Sequence, residues 1–216
     1  MLLQSRCAGC HRVGPVLCRP CRVALAVPAG LPSGEVIAAV PFAGRARQAV
    51  LGFKYRNRRQ LAHHFAGLLV NRLLAEGLEP ADIDVVTWAP TSRRRRRRRG
   101  FDPAELVARR VALQLGISCR RLLVREGADL PQTGRPRIER LHGPVFRASP
   151  AAAGRRLLVV DDVVTTGATL RSAAAALRAG GAVSVRRAAV ATTPALSARR
   201  PTNRRATAPS VHPQAA

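Results

Sequence analysis

The run from Leu157 to Thr169, Leu157-Leu158-Val159-Val160-Asp161-Asp162-Val163-Val164-Thr165-Thr166-Gly167-Ala168-Thr169, holds the densest chemistry of this chain. Two adjacent carboxylates follow four apolar residues, and a stretch of hydroxyls and small side chains comes after them. Carboxylates grip vicinal hydroxyls. Free backbone N–H groups at a helix start attract phosphate, and a glycine lets the main chain approach an anion or take a positive φ. The hydroxyls of Thr165, Thr166 and Thr169 add donors without bulk. Two acids beside an anion site would repel the ligand unless they face hydroxyls or a metal, so the whole run reads as a cradle for a ribose phosphate. A buried strand ending in a capped turn is the plainer reading. It accounts for Asp162 or Thr166 alone and leaves the rest unexplained. Receiver and phosphatase folds also carry acids at strand ends, but without the T-T-G-x-T run.

Such a cradle needs a strand before it and a helix after it. Leu157 to Val160 suits a strand buried on both faces, and Ala168 to Ala179 (ATLRSAAAALRA) is a strong helix former. Upstream, the spacing predicts strands at 36–42, 85–88 and 121–124, and helices at 45–51, 61–75 and 104–115. A further strand is expected at 183–190. The segment 125–150 is polar and broken by Pro and Gly, and is expected to form a mobile arm. Alternating strands and helices predict an α/β fold, a mostly parallel sheet flanked by helices, with ligands beyond the carboxyl ends of the strands.

Two further clusters could do chemistry. Cys7-Ala8-Gly9-Cys10 and Cys18-Arg19-Pro20-Cys21 have the spacing of a four-thiolate site, so Cys7, Cys10, Cys18 and Cys21 are candidate ligands of a structural Zn²⁺. A pair of redox dithiols and a decayed site are the competing readings. The second cluster is Arg93 to Arg99, seven arginines between Thr91-Ser92 and Gly100-Phe101-Asp102-Pro103. It reads either as a solvated run or as an anion-binding tract, for a ligand at the site or for nucleic acid.

Formal charge is +25, and all but one of the 37 basic residues are arginine, the exception being Lys54. That excess predicts attraction to phosphates without choosing between a small ligand and a nucleic acid backbone. Aromatic residues make up only 3% of the chain, which argues against base stacking as its main device. Hydrophobic residues at 47% keep it globular. No run is long enough to span a membrane and the first residues lack a secretory pattern, so no membrane insertion and a cytoplasmic location are expected. Three parts are expected: knuckle and linker at 1–34, an α/β domain at 35–193, and a disordered Pro-, Thr- and Arg-rich tail at 194–216.

The strand, acid pair and T-T-G-x-T run resembles the fingerprint of type I phosphoribosyltransferases. That resemblance implies that Asp161 and Asp162 hold the ribose 2′- and 3′-hydroxyls of phosphoribosyl pyrophosphate (PRPP) as the catalytic pair. It further implies that the loop of Val163, Val164, Thr165, Thr166, Gly167, Ala168 and Thr169 binds the 5′-phosphate, with Mg²⁺ on the pyrophosphate. Arg95 to Arg99, Arg99 in particular, and Lys54 become candidates for the diphosphate. The layout narrows further. W-A-P-T-S at 88–92, R-G-F-D at 99–102, A-E-L-V-A-R at 104–109, Lys54-Tyr55, the four cysteines and Gln132…Arg135…Arg140 before Phe146 together resemble ComF-like competence proteins. Pro103, His142 and the tail beyond Pro194 depart from that pattern. The resemblance implies single-stranded DNA and proteins of the competence machinery as candidate partners, beside PRPP or a similar sugar phosphate.

Overall fold

A run such as Leu157 to Val160, apolar on both faces, can be buried only with strands on either side of it and layers above and below. The computed structural model, which describes residues 5–26, 34–126 and 143–193, has that arrangement. In chain order the elements are α1 (Arg19–Ala26), β1 (Ile37–Pro41), α2 (Gly44–Tyr55), α3 (Leu61–Ala75), β2 (Val85–Trp88), α4 (Arg93–Arg99) and α5 (Pro103–Leu115). They continue with β3 (Ser118–Cys119), β4 (Leu123–Arg125), β5 (Phe146–Ala148), β6 (Arg156–Val164), α6 (Ala168–Ala179) and β7 (Ser184–Thr192). Five strands form one sheet in the order β1-β7-β6-β2-β3, with every pairing parallel.

The two-residue alternation of the strands divides the core in two. Val86, Trp88, Leu158, Val160, Ala188 and Val190 pack with α2, α3 and α5 on one face. Val85, Ala89, Leu157, Val159, Val185 and Ala189 pack with α6 and the β4–β5 hairpin on the other. The chain leaves β2 through α5 toward β3 and leaves β6 through α6 toward β7, in opposite directions and over opposite faces. The crevice beyond the carboxyl ends of β2 and β6 is therefore the switch point where ligands bind in open parallel sheets.

Several expectations are adjusted. The strand expected at 157–160 continues to Val164, so both aspartates lie within it, with Asp161 opposite Ala189. The helix expected at 45–51 runs from Gly44 to Tyr55, because no breaker interrupts the segment until Asn57 at φ 51°. The strand expected at 121–124 exists as β4, but it pairs antiparallel with β5 outside the main sheet. Its main-sheet neighbour is replaced by β3, a two-residue strand beside β2. The hairpin is tied down where Leu122 N–H donates to the buried Thr87 hydroxyl at 3.2 Å. The arginine tract is helical, and the second cysteine pair leads into α1 rather than a bare turn. Residues 27–33 of the expected linker, residues 127–142 of the segment expected as an arm at 125–150 (with Gln132, Arg135, Arg140 and His142) and the tail from 194 lie outside the described residues, whereas Phe146–Ala148 of that segment forms β5.

Candidate functional site

The end of β6 assembles the site from three directions. From the strand itself come Asp161 and Asp162, both half-buried; the Asp162 N–H donates to Oδ1 of Asp161 at 2.7 Å. Desolvation, and then the neighbouring Asp162 carboxylate, raise the Asp161 pKa well above the ordinary carboxylate range. From the last turn of α2 comes Lys54, whose Nζ lies 2.9 Å from Oδ1 of Asp162, with the two side chains 15% and 13% exposed. The chain's single lysine thus stands against the acidic pair.

After Val164 the chain turns through Thr165 and Thr166 to Gly167, the cap residue of α6, at φ 75°. The positive φ selects glycine, and a Cβ there would also displace the tip of Arg171, whose Nη1 would lie 2.9 Å away. The Arg171 Nη1 donates to the Thr166 carbonyl at 2.7 Å and Thr193 Oγ1 donates to the Thr165 carbonyl at 3.3 Å, which fixes the loop from both sides. The Ala168 N–H donates to Thr166 Oγ1 at 3.4 Å. Gly167 itself offers no side-chain cap to the first turn of α6. Thr165 and Thr166 are exposed, Ala168 and Thr169 half-buried, and Val163 and Val164 belong to the strand, with Val164 buried. The structure therefore brings Asp161, Asp162, Lys54 and the 165–169 turn together at one end of the sheet.

The wall opposite is the loop after β2. The Ala89 N–H donates to the Val160 carbonyl at 3.0 Å, which places the 89–92 loop beside the acidic pair. Asp102, only 4% exposed, holds that loop: its carboxylate accepts from Thr91 N–H at 2.8 Å and caps α5 through Ala104 N–H at 3.1 Å. Burial raises its pKa, and the Asp162 carboxylate adds to the effect against the bonds from Thr91 and Ala104. Ser92 caps α4 by accepting from Arg95 N–H at 3.4 Å, and Gly100 closes that helix at φ 74°. Arg93 to Arg98 are exposed. Arg99 alone turns inward: it donates to the Tyr55 hydroxyl at 3.1 Å and stacks its guanidinium 4.8 Å from the ring centroid.

Two contributors escaped the sequence reading. Asp102 was quoted only as part of a motif, although Asp-Pro ahead of an apolar-periodic run is itself a helix-start signal. Arg125 ends β4 on the inward face of the hairpin, over the Phe146 ring at 6.0 Å. Burial and then Arg95 disfavour its charge, while Asp161 and Asp102 support it, so it lies within the same electrostatic neighbourhood. No local signal marked it out. A cavity of about 530 Å³ lies at the opposite end of the sheet, at the first residues of β1, β6 and β7. Of the three arginines that line it, Arg156 is engaged with Asp84 at 2.7 Å and Arg178 with the Val185 carbonyl at 3.4 Å.

The four cysteines gather as expected, with all sulfurs within 4.8 Å of one another. A tetrahedral zinc with Zn–S of about 2.3 Å sets sulfurs roughly 3.8 Å apart; Cys10 and Cys18 are at 3.7 Å. Burial opposes ionisation of Cys7, but backbone N–H donors from Cys18, Cys10 and Gly9 outweigh it and bring the thiol down to about 6. Burial and the other three thiols push Cys21 the opposite way. Four sulfurs so close cannot all ionise without a cation among them, and the donor set fits zinc.

With the acidic pair at the strand end and the glycine-capped turn behind it, comparison with known proteins becomes informative. Residues 97–205, just over half of the chain, match the phosphoribosyl transferase domain. The chain belongs to this family. Solved structures similar to this phosphoribosyl transferase domain protein include the allosteric regulatory enzyme of purine biosynthesis, at 21% identity and TM-score 0.42, covering 65% of this chain and 30% of that one. A purine phosphoribosyltransferase from Pyrococcus horikoshii Ot3 is 19% identical with TM-score 0.41, over 62% of this chain and 75% of that one. A hypoxanthine phosphoribosyl transferase from Trypanosoma cruzi is 14% identical with TM-score 0.32, over 62% and 64% respectively. The chain thus spans less than a third of the length of the first of these. No curated protein matches it in sequence. Among the described residues, no helix is long and apolar enough to cross a membrane.

Proposed function

We propose that this protein binds PRPP, or a related ribose 5-phosphate ligand with Mg²⁺, at the carboxyl end of β6, and that it transfers the phosphoribosyl group to an acceptor. One observation carries the reading: two adjacent aspartates stand near the end of a central strand, followed within a few residues by a helix whose N-cap is Gly167, with no side chain filling the cap. In this reading Asp161 and Asp162 accept from the ribose 2′- and 3′-hydroxyls, and residues 163–169 enclose the 5′-phosphate. Asp161, with its raised pKa, is suited to orient the sugar or assist a proton. Bond breaking at the anomeric carbon develops positive charge on the sugar and negative charge on departing pyrophosphate, which needs cations where it leaves. Lys54, beside Asp162, and Arg99, held on Tyr55 next to it in the chain, are the candidates for that charge. Bound Mg²⁺ would supply Lewis-acid stabilisation of the diphosphate. Lys54 must then divide its charge between Asp162 and the ligand.

The exposed arginines of α4 favour a second reading, in which this surface holds single-stranded DNA in the manner implied by the resemblance to ComF-like competence proteins. A cytoplasmic location, competence-machinery partners and a three-part organisation with knuckle, transferase-like domain and tail go with it. Calorimetric titration with PRPP and Mg²⁺, then with single-stranded DNA at two salt concentrations, separates the readings. Asp162→Asn is expected to lose PRPP and keep DNA. Wild-type protein that fails to bind PRPP refutes the first reading; pyrophosphate release with a metabolite extract as acceptor pool tests turnover.

A further inference from the structure

Helix α2 touches the cysteine knuckle along one side and the candidate site with its last turn. Ala8, Leu17 and Cys21 of the knuckle are buried in the same cluster as Ala46, Ala49, Val50 and Phe53 of α2. The contact is close: a Cβ placed on Gly52 would lie 3.5 Å from the Ala8 Cβ, so Ala8 is seated on the helix backbone itself. At the first turn of α2, a Cβ on Gly9 would lie 3.6 Å from the Arg45 Cβ and 2.9 Å from Cys21 Sγ. Beyond the last turn, Arg58 donates from Nη1 to the Arg6 carbonyl and from its N–H to the Gly52 carbonyl at 3.4 Å. Two residues past Gly52, Lys54 reaches Asp162 at 2.9 Å.

The knuckle is too short to hold its own core, and its four sulfurs cluster within 4.8 Å of one another as ligands of one zinc would, so its shape depends on the ion. We infer that the cysteine knuckle is the positioning element of Lys54: folded around zinc, it seats Ala8 on Gly52 and anchors Arg58, and this fixes the last turn of α2 so that Lys54 stands opposite Asp162. Loss of zinc frees that turn and weakens sugar-phosphate binding at a site on the far side of the helix. Lys54 is the residue through which the effect travels, and the inference rests on the phosphoribosyl reading above.

The test is a double-mutant cycle with PRPP and Mg²⁺ as the probe, followed by calorimetry. Zinc-loaded wild-type chain and chain stripped with a zinc-selective chelator are compared, each with its fold checked by circular dichroism. Stripping is expected to weaken PRPP binding about 5- to 10-fold in wild type and by less than about 2-fold in Lys54→Met, because the coupled residue is already gone. Arg58→Gln keeps every cysteine and so covers the case in which the stripped chain unfolds; it is expected to retain one zinc, weaken PRPP about 3-fold, and add nothing in Lys54→Met. Hydrogen exchange at residues 52–56 should quicken on stripping while that of α6 is unchanged. Equal affinity of loaded and stripped chains, or an equal loss with and without Lys54, overturns the coupling and leaves the phosphoribosyl reading standing. A loaded chain that does not bind PRPP overturns both.

Discussion

Replacing Lys54 by Met removes the ammonium from the acidic pair while keeping most of the side-chain volume. At 2.9 Å the Lys54–Asp162 attraction, taken with an effective dielectric of 20, is roughly 5–6 kcal/mol before desolvation is counted. Breaking a fully buried pair costs about 3–5 kcal/mol. Here the side chains keep 15% and 13% exposure, so water compensates in part. A loss of about 2 kcal/mol is expected, or a fall of about 4–8 °C in Tm for a chain of this size. Asp162→Asn should behave differently. It removes the carboxylate that raises the Asp161 pKa and leaves Lys54 to compensate Asp161, so its cost should stay below about 1 kcal/mol. Urea and thermal unfolding of both variants and of their double measure the difference. If Asp162→Asn destabilises as much as Lys54→Met, Lys54 does not serve the pair as a whole and the electrostatic account of the site is wrong.

Two further outcomes follow from the same geometry. Asp161 holds a proton more tightly folded than unfolded, so its contribution to stability grows as pH falls from the raised value toward the ordinary carboxylate range, and is unfavourable above both. Asp161→Asn should therefore raise Tm at neutral pH, flatten the difference from wild type at low pH, and abolish PRPP binding; unchanged Tm across that window would refute the assignment. Gly167→Ala puts a side chain at φ 75° against Arg171, and should cost at least about 1 kcal/mol and weaken binding of ribose 5-phosphate as much as that of PRPP; a selective loss for PRPP alone would place the phosphate cradle elsewhere.

Legibility in the sequence tracked the reach of each signal. Helices α3 and α6 and strand β2 lie at the residues expected, because each is a local pattern with a breaker or polar residue close to both ends: Gln60 and Glu76, Gly167 and Gly180, and Asp84 and Pro90. The β6 strand was read short since Asp161 and Asp162 lower strand propensity, whereas pairing with β7 carries the backbone through them. The arginine tract reads from its charge as a solvated run or an anion-binding tract, and neither reading states its conformation. Arginine is nonetheless a good helix former, and Ser92 and Gly100 at its two ends were the overlooked cap signals. Three residues at β4 announced a strand but not its partner, which lies beyond the 127–142 segment. The closeness of Lys54 to Asp162 and of Asp102 to Thr91 depends on contacts far apart in the chain, which no spacing rule reports.

A polypeptide whose basic residues are guanidinium at every position but one carries a single side-chain amine, and that amine faces Asp162. Reductive methylation with labelled formaldehyde therefore writes one side-chain NMR resonance into the crevice without altering a single codon. Its line position would track a sugar phosphate arriving, and its rate of labelling would measure how often the ammonium leaves its carboxylate partner.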